Sequence, residues 1–568
     1  MAANEFSLAY HEPSITTIII LSGFLLLLNT VNYGLDKLVY CGLIGQVFLG
    51  IAWGTPGAKW LSEEMENSIM QLGYLGLILI VYEGGLSTSF KSLKANLLLS
   101  IGVAITGIAV PIGLSFTLQS LVGASPLQAF AAGAALCSTS LGTTFTVLGT
   151  SGLSTTRLGV VLTSAAMMDD VVGLIMVQVV SNLGGGGGGG FNAVTVIRPV
   201  FVSLGFSIVV PAVCKLIIQP VTLRLNAVRE NNPGSKINRL LQLRQTAFVI
   251  HTSWLFGLVV GGTFAGTSSL LAAYVAGATV SWWDSEVPHV ATRSNDSSAE
   301  VEDSTATVAE AEPVIGNSGV EIYENYYQQA VERVLKPFFF ASIGFSVPIT
   351  RLFSGPIVWR GVVYTILMMI GKILCGFWLL SYASPLLTIQ RITKRISGTG
   401  KKQPKKLSPG AQCNSSTSES HADNNKGQQQ QQQQQQQTGQ GNQTEDIPLQ
   451  PVGTRRPEAM PKNASPQPEM PVSVYPACIL GFAMVARGEI GFLISAVAES
   501  TGIFSGGSGS PAEPSELFLI VTWAISLCTI VGPISVGLLV NRVKRLELHG
   551  GKGTAEGRRN VLGSWGVS

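Results

Sequence analysis

The stretch LGVVLTSAAMMDDVVGLIMVQVV, residues 158–180, is an apolar run that carries two adjacent carboxylates, Asp169 and Asp170. The run is long enough to cross the hydrocarbon core of a bilayer. A carboxylate at that depth is costly unless it meets water, a cation or a buried basic group. A soluble core helix with a buried salt bridge is the alternative, but the rest of the chain is also membrane-like. The aspartate pair therefore favours an ion or proton pathway.

The composition of the 568-residue chain is typical of a polytopic helical membrane protein. Only 12% of the residues are charged, the mean hydropathy is +0.37, and the charges collect in a few loops between long apolar runs. A net charge of +3 is too small to indicate nucleic-acid binding. Most of the seven cysteines lie inside apolar runs, so we expect neither a disulfide framework nor a zinc site.

Apolar runs of near-bilayer length predict about thirteen spans and an all-α fold class. The predicted spans are 15–33, 37–54, 69–89, 94–117, 126–149, 156–180, 194–218, 242–261, 265–282, 331–349, 356–384, 472–500 and 515–541. A heptaglycine, Gly184–Gly190, follows the sixth span. It divides the spans into six, one and six, which is the layout of two inverted repeats. The alternative is that this division arises by chance, because the span boundaries are approximate.

This division predicts the organisation of the chain. The predicted segments are an extracytosolic N-terminus (1–14), a first six-span repeat (15–183), a linker with one span and a basic loop (184–241), a second six-span repeat (242–541) and a C-terminal tail (542–568). The second repeat contains two inserts, 283–330 and 386–471, which we expect to be disordered and cytosolic. Lys and Arg after the seventh, eleventh and thirteenth spans place the C-terminus in the cytosol. A ten-glutamine tract, Gln428–Gln437, is commoner in eukaryotic proteins.

Two spans at matching positions of the two halves are interrupted by polar residues. The interruptions are Ser138, Thr139 and Ser140 in the fifth span, and Arg487 and Glu489 in the twelfth. Inverted-repeat carriers often place broken helices at such positions, where half-helix ends and freed carbonyls face the ion. For the fifth span alone, hydroxyls that bond back to the preceding turn are an alternative. In the twelfth span, however, buried charges require partners.

The eleventh span carries one charge at depth, Lys372. A buried lysine needs a counterion, and the available partners are Asp169 and Asp170. Pairing with one of them would leave the other as an unpaired acid, for which a proton and a small cation compete. This competition is the chemistry of an antiporter.

These motifs resemble the monovalent cation/proton antiporter superfamily. The resemblance lies in MMDD (167–170), FFFASIGFSVP (338–348), Gly371–Lys372, ARGEIGF (486–492), IGQVFLGIAWG (44–54) and LILIVYEGGLSTSF (77–90). It is closest to the second, bacterial-type branch, which includes sodium/proton antiporters and potassium efflux systems, and it covers most of 15–545.

The resemblance implies a role for each charged residue at depth. Asp170 would be the carboxylate that binds Na+ or K+ and the proton, while Asp169 would pair with Lys372. The residues expected at the crossing of the two discontinuous helices are Ser138, Thr139, Ser140, Arg487 and Glu489. Arg487 and Glu489 would compensate the helix ends.

The resemblance also implies how the helices move. Spans four to six and eleven to thirteen would form a moving core, and spans one to three and eight to ten a dimerisation scaffold. The core would shift like an elevator in a homodimer, and members with two aspartates are usually electrogenic.

The resulting hypothesis is a secondary antiporter in the lipid bilayer that exchanges Na+ or K+ for H+. We expect it in the plasma membrane or an internal membrane, with no enzymatic activity, no cofactor and no nucleic-acid partner. Two alternatives remain open. A sodium-coupled organic-anion symporter would need a larger polar cavity, and a cation channel or sensor would need a filter-like loop, which the sequence does not contain.

Overall fold

The computed structural model describes residues 12–39, 42–88, 96–140, 153, 156–184, 193–232, 234–287, 318–380, 474–505, 514–550, 561–562 and 565. Every regular element within these residues is a helix, so the predicted all-α class is confirmed for them. Several predictions lie outside the described residues: those on the second part of the fifth span, Gly185–Gly190, residues 288–317 of the first insert and all of the second insert. The first insert is shorter than the predicted 283–330, because helices occupy Ser269–Glu286 and Gly319–Tyr326.

The first part of the chain forms seven described helices. They are α1 (Ile15–Val39), α2 (Leu43–Trp53), α3 (Glu63–Leu86), α4 (Leu97–Ser115), α5 (Leu118–Val122), α6 (Pro126–Ala135) and α7 (Arg157–Gly184). Local sequence sets two of the starts. The Ser62 side chain accepts a hydrogen bond from the Met65 amide at the start of α3, and Ser125 and Gln128 form a capping box before α6.

The remaining described helices begin within the predicted linker segment, 184–241. They are α8 (Ala193–Val213), α9 (Gln219–Asn231), α10 (Lys236–Leu241), α11 (Arg244–Ala265), α12 (Ser269–Glu286), α13 (Gly319–Tyr326), α14 (Gln328–Ala330), α15 (Lys336–Phe345), α16 (Ile349–Leu352), α17 (Gly355–Ile373), α18 (Tyr475–Ala483), α19 (Glu489–Ser500) and α20 (Glu516–Gly550). A π-helical turn, Cys214–Ile218, joins α8 to α9, and a second one, Val331–Leu335, precedes α15.

Eight described helices are long and apolar enough to cross a membrane, which makes the chain a multi-pass membrane protein. They are Ile15–Leu38, Glu63–Leu86, Leu97–Val122, Arg157–Gly184, Val196–Asn231, Arg244–Ala265, Gly355–Leu380 and Glu516–Glu547. The other predicted spans contain shorter or less apolar helices: α2, α6, α12, α15, and α18 with α19. The count of thirteen spans stays a prediction.

The helices pack mainly within two groups. The first group contains α1, α2, α3, α11, α12 and α15, and the second contains α4, α6, α7, α17, α18, α19 and α20. Helix α8 contacts α7 of the second group and α12 of the first. Contacts between the groups are sparser than those inside them.

Hydrogen bonds fix the relative directions of neighbouring helices. The Tyr74 and Ser269 hydroxyls are 2.8 Å apart, and the Ser281 hydroxyl donates to the Thr88 carbonyl at 3.0 Å, so α3 and α12 run parallel. By contrast, Ser115 contacts Tyr364 at 2.7 Å and Thr106 contacts Trp378 at 2.8 Å, so α4 and α17 run antiparallel.

Glycines allow the closest helix crossings in the first group. Helix α2 meets α15 at Gly50 and Gly344, and α3 meets α12 at Gly85 and Gly277. A Cβ atom at any of these four positions would overlap the backbone of the facing helix. Small residues at helix interfaces are the usual way for membrane helices to gain van der Waals contact.

We expect Gly277→Ala to destabilise the protein by about 1–3 kcal/mol, because the added methyl group would overlap the Tyr82 carbonyl oxygen. Gly261→Ala in α11 is the matched control, since a Cβ there meets no atom within 4 Å. Thermal unfolding midpoints of the two variants in detergent measure the difference. Equal midpoints would contradict the close crossing.

Candidate ion-binding site

Two interrupted helices meet in the second group of helices. Helix α6 ends at Ala135 and α18 ends at Ala483, and non-helical backbone follows each of them. The Ser140 amide donates to the Ala486 carbonyl at 3.0 Å, and the Thr139 hydroxyl lies 3.2 Å from the Met484 carbonyl oxygen. The bond between Ser140 and Ala486 thus pairs backbone groups of the two interruptions, which have no water to bond at this depth.

Glycines let the two interruptions approach closely. A Cβ at Gly488 would lie 2.6 Å from the Ser140 hydroxyl oxygen, and a Cβ at Gly491 would lie 2.8 Å from the Ala135 carbonyl oxygen. Both glycines belong to the ARGEIGF motif. Both glycines therefore permit close contact with the fifth span. The sequence alone did not indicate this role.

Lys372 and Asp169 form a fully buried ion pair. Lys372 Nζ lies 2.5 Å from Asp169 Oδ2, and both side chains have 0% exposure. The ammonium also donates to the Cys137 carbonyl at 2.5 Å and to the Thr139 hydroxyl at 3.0 Å. Because a lysine ammonium has three hydrogens, these three acceptors satisfy it completely.

Thr139 links this ion pair to the helix crossing. Its hydroxyl accepts from Lys372 and lies 2.6 Å from Asp169 Oδ2, to which it donates. The lysine of α17, the aspartate of α7 and the interruption after α6 are therefore one hydrogen-bond network. The sequence placed Thr139 at the crossing but gave no sign of this central position.

Asp170 has a different environment. The Ser138 hydroxyl donates to Asp170 Oδ1 at 2.9 Å, and no ion pair involves Asp170 within the described part of the chain. Its side chain is nearly buried, with 5% exposure. The structure therefore separates the two adjacent carboxylates, since Asp169 bonds a lysine and Asp170 bonds a neutral hydroxyl.

Two charged residues flank the interruption of the twelfth span. Arg487 is fully buried, and its Nη1 donates to the Ser138 carbonyl at 2.7 Å. The Arg487 carbonyl in turn accepts from the Thr529 hydroxyl of α20 at 2.9 Å. Glu489 is half-buried in the first turn of α19, where a carboxylate interacts favourably with the helix dipole. These positions suit compensation of the helix ends.

The oxygen atoms around Asp170 suit an alkali cation or a proton. Among the described residues, no group of three or more His, Cys, Asp or Glu could hold a metal ion. The oxygen atoms that the structure places there are the Asp170 carboxylate and the Ser138 hydroxyl, and oxygen ligands are the ones that hard cations prefer. The carboxylate of Asp170 can also take up a proton.

Comparison with known proteins gives one family. The family described as "Sodium/hydrogen exchanger, transmembrane" matches residues 23–401, which is more than half of the chain. A solved structure, that of the sodium/proton antiporter MjNhaP1 from Methanocaldococcus jannaschii, aligns over 93% of this chain and 99% of its own, with 10% identity and a TM-score of 0.49.

Curated relatives match over shorter segments. The high-affinity Na(+)/H(+) antiporter NhaS3 of Synechocystis sp. is 31% identical over 143 residues, 25% of this chain and 31% of that protein. The Na(+)/H(+)-K(+) antiporter GerN of Bacillus cereus is 29% identical over 134 residues, 24% of this chain and 34% of GerN. The probable Na(+)/H(+) antiporter GerT of the same species is 29% identical over 179 residues, 31% of this chain and 47% of GerT. The chain thus spans about a third to a half of the length of these relatives.

The network around Lys372 predicts a difference between two substitutions of Thr139. Thr139→Val removes the hydroxyl and leaves the buried ammonium with one acceptor fewer, which should cost about 1–3 kcal/mol of stability. Thr139→Ser keeps the hydroxyl and should stay close to the wild type. Unfolding midpoints in detergent test this, and a valine variant as stable as the serine variant would show that the hydroxyl is dispensable.

Proposed function

Because the chain belongs to the sodium/hydrogen exchanger family, we propose that it is a secondary active antiporter that exchanges Na+ or K+ for H+. The observation that carries this proposal is the separation of the two aspartates. Asp169 is committed to Lys372, whereas Asp170 bonds only a hydroxyl among the described residues and keeps a carboxylate for an ion. GerN is named a Na(+)/H(+)-K(+) antiporter, which supports both cations as candidates.

The charges at the crossing suit the exchange of one bound ion for another. With all groups ionised, three carboxylates (Asp169, Asp170, Glu489) oppose two cations (Lys372, Arg487), which leaves one negative charge. One alkali cation or one proton on Asp170 balances that charge. A buried site with an unbalanced charge is costly, so release of one ion favours binding of the other.

Electrogenic exchange requires more than one proton per cation. Lys372 is our candidate for the second proton carrier, because its ammonium lies against Asp169 in the same network. Cation binding near Asp169 would weaken the attraction that holds the proton on Lys372. Exchange at Asp170 alone is electroneutral, and the proposed exchange is electrogenic only if Lys372 also releases its proton.

Two inverted repeats, 15–183 and 242–541, are supported by the pattern of helix crossings. Helix α2, in the second span of the first half, packs against α15, in the third span of the second half. Conversely, α3, in the third span of the first half, packs against α12, in the second span of the second half. A pseudo-two-fold axis in the membrane plane exchanges these two crossings. For the other segments we propose the boundaries predicted from the sequence, except that the first insert is shorter than 283–330, because α12 continues to Glu286 and α13 begins at Gly319.

An elevator-like motion is supported by the two helix groups. The second group holds both interruptions and Asp170, so it would be the moving core, and the first group would be the scaffold of a homodimer. Helix α8 would link them, since it contacts α7 and α12. The parallel run of α3 with α12 and the antiparallel run of α4 with α17 suit two repeats of opposite orientation. We propose an extracytosolic N-terminus and a cytosolic C-terminus from the distribution of Lys and Arg.

The other classes have less support. The relatives named above are transporters, so we propose no enzymatic reaction. An organic-anion symporter or a channel is not favoured, because the buried ion pair and the Asp170 carboxylate, which makes no ion pair among the described residues, suit exchange of a small cation for a proton.

We expect Asp170→Asn to abolish exchange. In liposomes with an imposed pH gradient and a pH-sensitive dye, the wild type should collapse the gradient when Na+ or K+ is added, and the variant should not. The asparagine can still accept from Ser138, so folding should persist, and Asp170→Glu is the control that keeps a carboxylate. Exchange at the wild-type rate in Asp170→Asn would refute the site.

The ion pair predicts a stability pattern of its own. Asp169→Asn alone leaves Lys372 buried without a counterion and should cost about 3–5 kcal/mol. Adding Lys372→Gln removes the unpaired charge and should recover much of that loss. Unfolding midpoints of the two single variants and the double variant test the coupling, which is absent if the single losses simply add.

A further inference from the structure

A cavity of about 400 Å³ lies between α7, α8 and α12. Its lining is mostly apolar and includes Met167, Met168 and Val171 of α7 and Trp282 of α12. Successive helix residues turn by about 100°, so this wall is the face of α7 turned away from Asp169. The volume is within the range of about 300–1,000 Å³ typical of small-molecule sites.

We propose that this cavity binds an acyl chain of an anionic phospholipid, whose headgroup phosphate contacts Lys215. Lys215 is the charged residue of the lining, and it belongs to the π-helical turn that joins α8 to α9. Within the described part of the chain, no carboxylate pairs with it. A lysine at the mouth of an apolar cavity complements a lipid phosphate.

The neighbouring surface gives lipid direct access to the cavity mouth. Leu216 and Ile217, next to Lys215, are 74% and 57% exposed, and Ile208 and Val209 of α8 are 61% and 57% exposed. In a membrane such exposed apolar side chains contact acyl chains. Lys215 can therefore extend along its aliphatic stem to the headgroup region while the lipid tail enters beside α8.

The interior of the cavity favours an acyl chain over water. Because most of the lining is apolar, water inside the cavity finds few hydrogen-bond partners. The Tyr274 hydroxyl in the wall is already 3.0 Å from the Thr88 hydroxyl. The flexible side chains of Met167 and Met168 can adapt to a chain of variable shape.

The predicted orientation of the chain places the mouth of the cavity in the cytosolic leaflet, where anionic lipids are enriched. Lys215 lies near the end of the seventh span, and the basic loop after that span is predicted to be cytosolic. The cytosolic leaflet carries the negative surface charge of most membranes. If the antiport proposal is right, the bound lipid also contacts both the core helix α7 and the scaffold helix α12, and it shifts the balance between their relative positions.

Tryptophan quenching tests the proposal without requiring transport. The protein is placed in phosphatidylcholine nanodiscs that contain the same mole fraction of either brominated phosphatidylglycerol or brominated phosphatidylcholine. Bromine on an acyl chain quenches a tryptophan that it contacts, and the contribution of Trp282 is the difference between the wild type and Trp282→Phe. We expect a preference of about five-fold for the anionic lipid at Trp282, which corresponds to about 1 kcal/mol for one lysine.

Charge variants then identify the headgroup contact. Lys215→Gln should reduce the preference to about one, while Lys236→Gln, an exposed lysine of α10 outside the cavity, should leave it unchanged. Absence of quenching at Trp282 would overturn the proposal, as would equal quenching by the two lipids in the wild type. A preference that survives Lys215→Gln would overturn it as well, and loss of the preference on addition of inorganic phosphate would assign the site to the free anion.

Discussion

The buried ion pair between Lys372 and Asp169 is the constraint on which the rest of the site depends. Removing two charges from water costs more than their attraction returns unless the remaining hydrogen-bonding groups are also satisfied. Here the other ammonium hydrogens go to the Cys137 carbonyl and the Thr139 hydroxyl. That carbonyl is available because the helix stops at Ala135, since a continued helix would bond it internally. The interrupted helix and the ion pair therefore stabilise each other.

The same constraint makes two adjacent aspartates inequivalent. Neighbouring positions on a helix differ by about 100° in direction, so Asp169 can face α17 while Asp170 faces Ser138. Gly173, one turn after Asp169, keeps α7 close to the interruption, because a Cβ there would lie 2.9 Å from the Ser138 Cβ. Close packing fixes which carboxylate receives the lysine and which one stays available.

Hydropathy predicted most of the helices, and the need to compensate buried charge predicted that Lys372 would meet an aspartate. Other features leave no such trace. Hydropathy reports the length of an apolar run but not where the backbone leaves the helix, so α2 has 11 residues where a span over 37–54 was expected. Likewise, α9 continues to Asn231 through polar residues outside the predicted span. A backbone acceptor such as the Cys137 carbonyl has no sequence signature. The hydrogen bonds of Thr139 to both Lys372 and Asp169 depend on the positions of three separate segments, which the sequence does not give.

The two faces of α7 make contacts of different kinds. Hydrogen bonds hold Asp169 and Asp170 on one face, whereas Met167, Met168 and Val171 line an apolar cavity on another. A helix bonded on both faces would have to break directional bonds whenever it shifted against the scaffold. Apolar contacts are non-directional and can be exchanged with little loss. If the core moves as proposed, the polar face keeps the carboxylate in a fixed geometry while the apolar face permits the displacement.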